Sequence, residues 1–273
     1  MVDFAVLAEE AKARKAERDV ATQRFVQLAN GFAIGMDSLR WMSKRASVLG
    51  SATLTFRLTD DLLESTFAAS ANVESGALNP AKRELRYILE QSVKYAFVDR
   101  KMQDQTIEKK LQFLEFRAVE LVDSARDVAL FVPELVKASL LRELGPLYGR
   151  LSEFVHPSHR LAEERVRHST TGHYIGNHTI ADVRDVIGLA ELVFDISLLY
   201  CCQPLGPSLV GDVLLNSWEE AAWWPFHYTP YMRSLSDQYD YKCERQHESG
   251  GPVWRRMSDV QLLLEALRVQ RSE

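Results

Sequence analysis

The chain has 273 residues, of which 46% are hydrophobic and 26% charged, with a formal net charge of -5. That balance is the one found in soluble globular proteins, and the length supports a substantial core without disulfide or metal staples. An acidic whole, with pI near 5.9, excludes a protein that coats nucleic acid non-specifically but leaves room for a locally basic site.

Periodicity is helical rather than alternating almost throughout, which predicts an all-α fold. One long helical pattern runs from Val2 to about Val48, with a break expected near Gly31 and Gly35. Its first half is rich in Ala, Glu, Lys and Arg and should be exposed; it offers no apolar run of the kind an export signal needs. A second helix is expected over Ala52–Ala71, carrying Leu54, Leu58, Leu62 and Phe67. Asn79-Pro80 places an N-cap residue before a proline at the first helical position and should open a third helix. Leu85, Leu89, Val93 and Ala96 form its apolar stripe, and beside them Arg86, Glu90 and Lys94 share one face at steps of four.

Further helical patterns cover Gln105–Leu130 and Pro133–Leu144. Gly145-Pro146 should then punctuate the chain and separate a short helix from Gly145 to Val155. Residues 157–178 are polar and irregular. They carry His159, His168, His173 and His178, which with His156 make five of the seven histidines. Their spacing matches no familiar zinc signature and no cysteine joins them, so neither a metal nor another cofactor is expected. Thr179 with Asp182 in capping-box position should start a helix that turns Val183, Ile187, Ala190, Phe194 and Leu198 inward.

The apolar run 186–202 contains Glu191 and Asp195 and falls short of a membrane span. Cys201 and Cys202 end it, and with Cys243 they form no CxxC pair, which is the cysteine usage of a reducing compartment. The expectation is a cytoplasmic chain with no membrane segment. After Pro204 the composition shifts to an aromatic-rich stretch holding Trp218, Trp223, Trp224, Phe226, Tyr228 and Tyr231. This reads as a small packed subdomain in preference to a base-stacking platform. A last amphipathic helix follows Ser258, bearing Val260, Leu263, Leu264 and Leu267. The domain reading is a helical bundle over residues 1–203, including the N-terminal helix 1–48, and a C-terminal extension over 204–273.

Chemistry concentrates in "LYGRLSEFVHPSHR", Leu147 to Arg160. Leu147, Leu151, Phe154 and Val155 are core candidates, while Tyr148, Ser152 and His156 follow one another at one-turn steps. Pro157 disfavours helical geometry at His156, so the imidazole stands at the helix C-terminus, where the dipole favours its protonated form. An imidazole titrating near neutrality is the usual proton-transfer group. The same position also suits an ordinary cap that bonds the last carbonyls.

The spacing of Arg150 and His156 resembles the Arg-x4–6-His motif of the HEPN superfamily. Tyr148, Ser152, His156, Pro157 and Ser158 together resemble the motif helix of bacterial abortive-infection-like members. The helix Lys82–Phe97, with Arg86 and Glu90 one turn apart, resembles their earlier long helix, and the likeness covers roughly residues 50–203. It implies a HEPN-like homodimer whose paired motifs line a shared cleft. It also implies an RNA-directed protein, in many members a metal-independent endoribonuclease of stress or phage-defence systems, with an antitoxin or defence-system partner. Carried over, His156 would act on the ribose 2′-OH or the leaving oxygen and Arg150 would hold the scissile phosphate. Arg86, Glu90, Lys94, Tyr148, Ser152, Ser158 and His159 would support them. Active nucleases of the superfamily usually have Asn, Asp or His directly after the arginine, and this chain has Leu151. A non-catalytic module that dimerises or binds a partner is therefore the alternative, and a histidine-rich metallohydrolase the third reading.

Overall fold

α1 (Phe4–Arg45) is one uninterrupted helix of 42 residues. Its buried side chains Phe25, Leu28, Phe32, Met36 and Leu39 recur at steps of three and four, the stripe by which a helix seats on a core. The expected break near Gly31 and Gly35 does not occur. Those glycines lie where other parts of the chain come closest to the helix backbone. A Cβ on Gly31 would stand 2.6 Å from Pro225 Cγ, and one on Gly35 2.8 Å from Leu198 Cδ2. Trp224 Nε1 donates to the Gly31 carbonyl at 2.7 Å. The glycines thus serve close packing, and that packing outweighs their weak helix propensity.

The computed structural model describes residues 4–45, 52–116, 121–154, 178–207 and 224–239, together with 159, 162–163, 166, 209–211 and 214. The helix expected over Ala52–Ala71 is two helices, α2 (Leu54–Arg57) and α3 (Thr59–Glu74), joined at Leu58. A long-range cap accounts for the short first piece. The Asp99 carboxylate accepts from Leu54 N at 2.7 Å, Thr55 N at 2.8 Å and Thr55 Oγ1 at 2.7 Å. Lys110, itself buried, pairs with Asp99 at 2.9 Å and donates to the Ala52 carbonyl.

α4 (Leu78–Lys101) begins before the expected N-cap Asn79, with Ala77 in the capping position. Gly76, at φ +76°, turns the chain directly after α3, and buried Leu78 anchors the first turn. Pro80 falls at the third helical position, where its missing N–H is still one that no helix would satisfy. α4 is the central element and packs against α2, α3 and four later partners: α5 (Ile107–Phe116), α6 (Leu121–Asp127), α7 (Glu134–Ser152) and α8 (Ile180–Cys202). The pattern expected over Gln105–Leu130 is helical in α5 and α6, and residues 117–120 lie outside the described ones.

α7 overturns the expected punctuation at Gly145-Pro146, because one helix passes through both residues. Pro146 leaves the Arg142 carbonyl without its helical partner, at a usual cost of about 3 kcal/mol. Burial offsets this. Val136, Leu140, Leu144, Leu147 and Leu151 form one unbroken buried stripe across the proline, each contributing roughly 1.5–3 kcal/mol. Pro146 itself faces solvent.

α8 starts as expected, with both halves of the Thr179–Asp182 capping box formed. Val183, Ala190, Phe194 and Leu198 are buried, and Ile187 is partly so. Trp224, Phe226 and Tyr231 join the same core as α1 and α8, with Phe226 edge-on to Phe194. Tyr228 is exposed. α9 (Pro230–Ser236) follows the short 3-10 turn Pro225–His227. Trp218, Trp223 and the helix expected after Ser258 lie outside the described residues. Among the described residues there is no β-strand, and no helix is long and apolar enough to cross a membrane.

Candidate functional site

Three helix ends converge around Arg150. The end of α7 carries Tyr148, Arg150 and Ser152; α4 carries Lys82, Arg83 and Arg86 in its first half and Glu90 at its middle; the second turn of α8 carries Asp185. Leu147 and Leu151 bury one face of α7, which turns Tyr148 toward α4 and Arg150 toward α8.

On the α8 side, Arg150 Nη2 donates to Asp185 Oδ1 at 2.6 Å. Asp185 Oδ2 lies 3.3 Å from Lys82 Nζ. The Lys82 ammonium sits 4.1 Å over the Phe154 ring, a cation–π contact that stabilises a desolvated charge. Arg83 Nε donates to the Phe154 carbonyl, just beyond the end of α7.

On the α4 side, Arg86 Nη2 donates to the Tyr148 hydroxyl at 2.7 Å, with its guanidinium 4.9 Å from the ring centre. The Tyr148 hydroxyl in turn donates to Glu90 Oε2 at 3.4 Å. Glu90 also pairs with Lys94, and its Oε2 is 3.6 Å from Arg86 Nη2. Arg86 Nε is buried and finds no hydrogen-bond partner among the described residues.

Of the residues singled out in the sequence, the structure joins Arg86, Glu90, Lys94 and Tyr148 in one network and sets Arg150 beside it. Ser152 is spent locally, its hydroxyl donating to the Tyr148 carbonyl one turn back at 2.7 Å. His159 is exposed, with Nδ1 3.5 Å from Glu163 Oε2. His156 and Ser158 lie outside the described residues. Among the described residues no group of three or more His, Cys, Asp or Glu side chains could hold a metal ion.

Sequence reasoning passed over Lys82, Arg83 and Asp185. The four-residue step from Lys82 to Arg86 was a readable signal for the first. Nothing local ties Asp185 to Arg150, which is 35 residues away. Beside the network, a groove of about 340 Å³ between α3 and α4 is lined by Asp61, Glu64, Arg83, Glu84, Arg86 and Tyr87 among others. Tyr87 and Tyr95 both donate to Asp61 at 2.9 Å. Burial first, and then the Asp61 carboxylate, push the Tyr87 phenol up to about 12 and raise that of Tyr95 as well. Both hydroxyls therefore stay donors at neutral pH.

The edge thus gathers Lys82, Arg83, Arg86, Lys94 and Arg150 around Glu90 and Asp185, with Asp61, Glu64 and Glu84 in the adjoining groove. Such a surface is suited to anions bearing paired oxygens. Comparison with known proteins yields no relative: no family model matches the chain, and neither does any curated protein or solved structure.

Proposed function

We propose that this chain is an RNA-directed protein of the HEPN kind, a metal-independent endoribonuclease in which Arg150 braces the scissile phosphate and His156 handles the proton of the ribose 2′-OH. The observation that carries the reading is the cationic edge at the end of α7, where half-exposed Arg150 and buried Lys82 converge on one position. A guanidinium offers forked donors to two phosphate oxygens at once. With the phosphate held, the 2′-oxygen forms a bond to phosphorus as the bond to the 5′-oxygen breaks. The 2′-OH proton leaves to a base and the 5′-oxygen gains one, so nothing else is consumed. The Tyr148–Arg86–Glu90 network supports this role by fixing the face of α7 that precedes His156. The same reading has two copies facing each other across a shared cleft, with an antitoxin or defence-system partner.

One observation favours a second reading. Leu151, next to Arg150, is fully buried, so that position supplies no polar group to the edge, as in members that bind RNA or dimerise without cutting it. Incubating the purified chain with single-stranded RNA in EDTA separates these readings. Cleavage that persists in chelator and is lost in His156→Ala supports the nuclease. RNA binding or dimerisation without cleavage supports the module, and chelator-sensitive hydrolysis would support the metallohydrolase.

A further inference from the structure

We infer that Asp185 is an internal occupant of the phosphate cradle, a carboxylate that an incoming phosphate must displace from Arg150 and Lys82. The inference rests on the RNA reading of this edge and adds how access to it is controlled.

Asp185 uses both oxygens, Oδ1 on Arg150 at 2.6 Å and Oδ2 on Lys82 at 3.3 Å. The cations come from α7 and α4, and the carboxylate from α8. A single anion bridging a guanidinium and an ammonium is the arrangement a phosphate would adopt between the same two groups. The members of the bridge differ in freedom. The Lys82 side chain is only 9% exposed, whereas those of Asp185 and Arg150 are 42% and 52% exposed. Lys82 is held against the Phe154 ring, and the Phe154 carbonyl is itself held by Arg83. Lys82 is therefore a fixed, desolvated charge that needs an anion beside it. Asp185 and Arg150 stand at the surface, where a rotamer change can release the carboxylate to water.

Displacement then follows as an exchange of anions. A phosphodiester bears one negative charge, as the carboxylate does, so replacing one by the other leaves the charge balance of the cradle unchanged. The occupant thus lowers affinity for any single phosphate, and binding depends on further contacts along the RNA at Arg83 and Arg86. Removing the charge of Asp185 while keeping its shape should leave both cations open to ligand.

The test is Asp185→Asn in the full chain, with binding of fluorescein-labelled single-stranded RNA followed by anisotropy and binding of inorganic phosphate followed by thermal shift. The expected result is binding about two- to fivefold tighter for both probes, the order of one half-exposed ion pair. Adding Arg150→Ala should erase the gain. A folded Asp185→Asn variant that binds neither probe more tightly than wild type overturns the inference and leaves Asp185 a structural counter-ion of Lys82. If the substitution unfolds the chain by stranding Lys82, Lys82→Met/Asp185→Asn is compared with Lys82→Met. A gain through Arg150 must still appear, and its absence overturns the inference. If the phosphate gain appears while no variant binds RNA, the displacement stands and the RNA reading fails. If wild type binds RNA and Asp185→Asn brings no gain, the inference fails alone.

Discussion

Replacing Asp195 should loosen the 224–239 segment from the bundle. Asp195 is fully buried on α8, yet its carboxylate serves another helix. Oδ1 accepts from Thr229 Oγ1 at 2.7 Å and Met232 N at 2.8 Å, and Oδ2 accepts from Tyr231 N at 3.0 Å. Thr229 is the N-cap residue of α9 but makes no capping bond of its own, so Asp195 does that work from outside. Asp195→Ala strands two buried amides, at about 1–3 kcal/mol each, while the Thr229 hydroxyl keeps the Phe226 carbonyl as acceptor at 3.1 Å. Part of that returns, because burial pushes the Asp195 carboxyl up to about 7 against the pull of its three hydrogen bonds, so ionised Asp195 is itself costly. The net loss expected is about 2–3 kcal/mol, or about 5–10 °C in Tm for a chain of this size.

The pH dependence has a definite sign. A folded pKa raised from 3.8 to about 7 means that the folded state holds the proton more tightly than the unfolded state. The stability from this group is complete below about pH 4 and is lost as pH rises through about 7. Asp195→Ala removes that decline, so its deficit relative to wild type should be larger at pH 5 than at pH 7.5. Thermal melts by circular dichroism at both pH values, with hydrogen exchange of the Tyr231 and Met232 amides, provide the assay. A variant melting within ~2 °C of wild type, with those amides equally protected, would refute the cross-helix cap.

Lys110→Met should leave the buried Asp99 carboxylate without its counter-ion, held by its three hydrogen bonds alone, and cost about 3–5 kcal/mol in denaturant unfolding; a loss under about 1 kcal/mol would show the pair to be dispensable. Gly31→Ala should destabilise by roughly 1–3 kcal/mol through overlap with Pro225, whereas Gly188→Ala, with no atom within 4 Å of the added Cβ, should stabilise by up to about 1 kcal/mol. The opposite order in thermal melts would sink the account of Gly31. His156→Ala should lower RNA cleavage about 10²–10⁴-fold, and Arg150→Ala about 10²–10³-fold, in single-turnover assays with unchanged melting temperature. Unfolding of the His156 variant would mark that residue as a cap.

What could be read in the sequence is what acts within one turn or one stripe. The start of α8 followed from Thr179 and Asp182 because a capping box closes over three residues. The inward faces of α4 and α8 followed from 3.6-residue periodicity, and the adjacency of Arg86, Glu90 and Lys94 from a step of four. These patterns were enough for the all-α class. They misled where a local signal met a stronger distant one. Gly145-Pro146 looks like a stop, but the leucines on either side of it are buried in the same core, so α7 runs on. Gly31 and Gly35 look like a break, but what they accommodate is Pro225 and Leu198, far along the chain.

The site divides in the same way. Tyr148 and Arg150 were visible as neighbours on one helix, and Arg86 and Glu90 as candidates beside them, whereas Arg150's partner Asp185 and the Lys82 that shares it were not. Whether Tyr148 meets Arg86, and whether Arg150 meets Asp185 and Lys82, depends on how α4, α7 and α8 cross, and that is set by shape-matching in the core. Asp99 and Asp195 show this most plainly. Asp195 reads as a stray charge in an apolar run and Asp99 as one of the charges that close α4, and each caps a short helix more than thirty residues away. Helical hydrogen bonds are local and leave a trace in residue order; a carboxylate capping another helix leaves none, because only packing brings the two together.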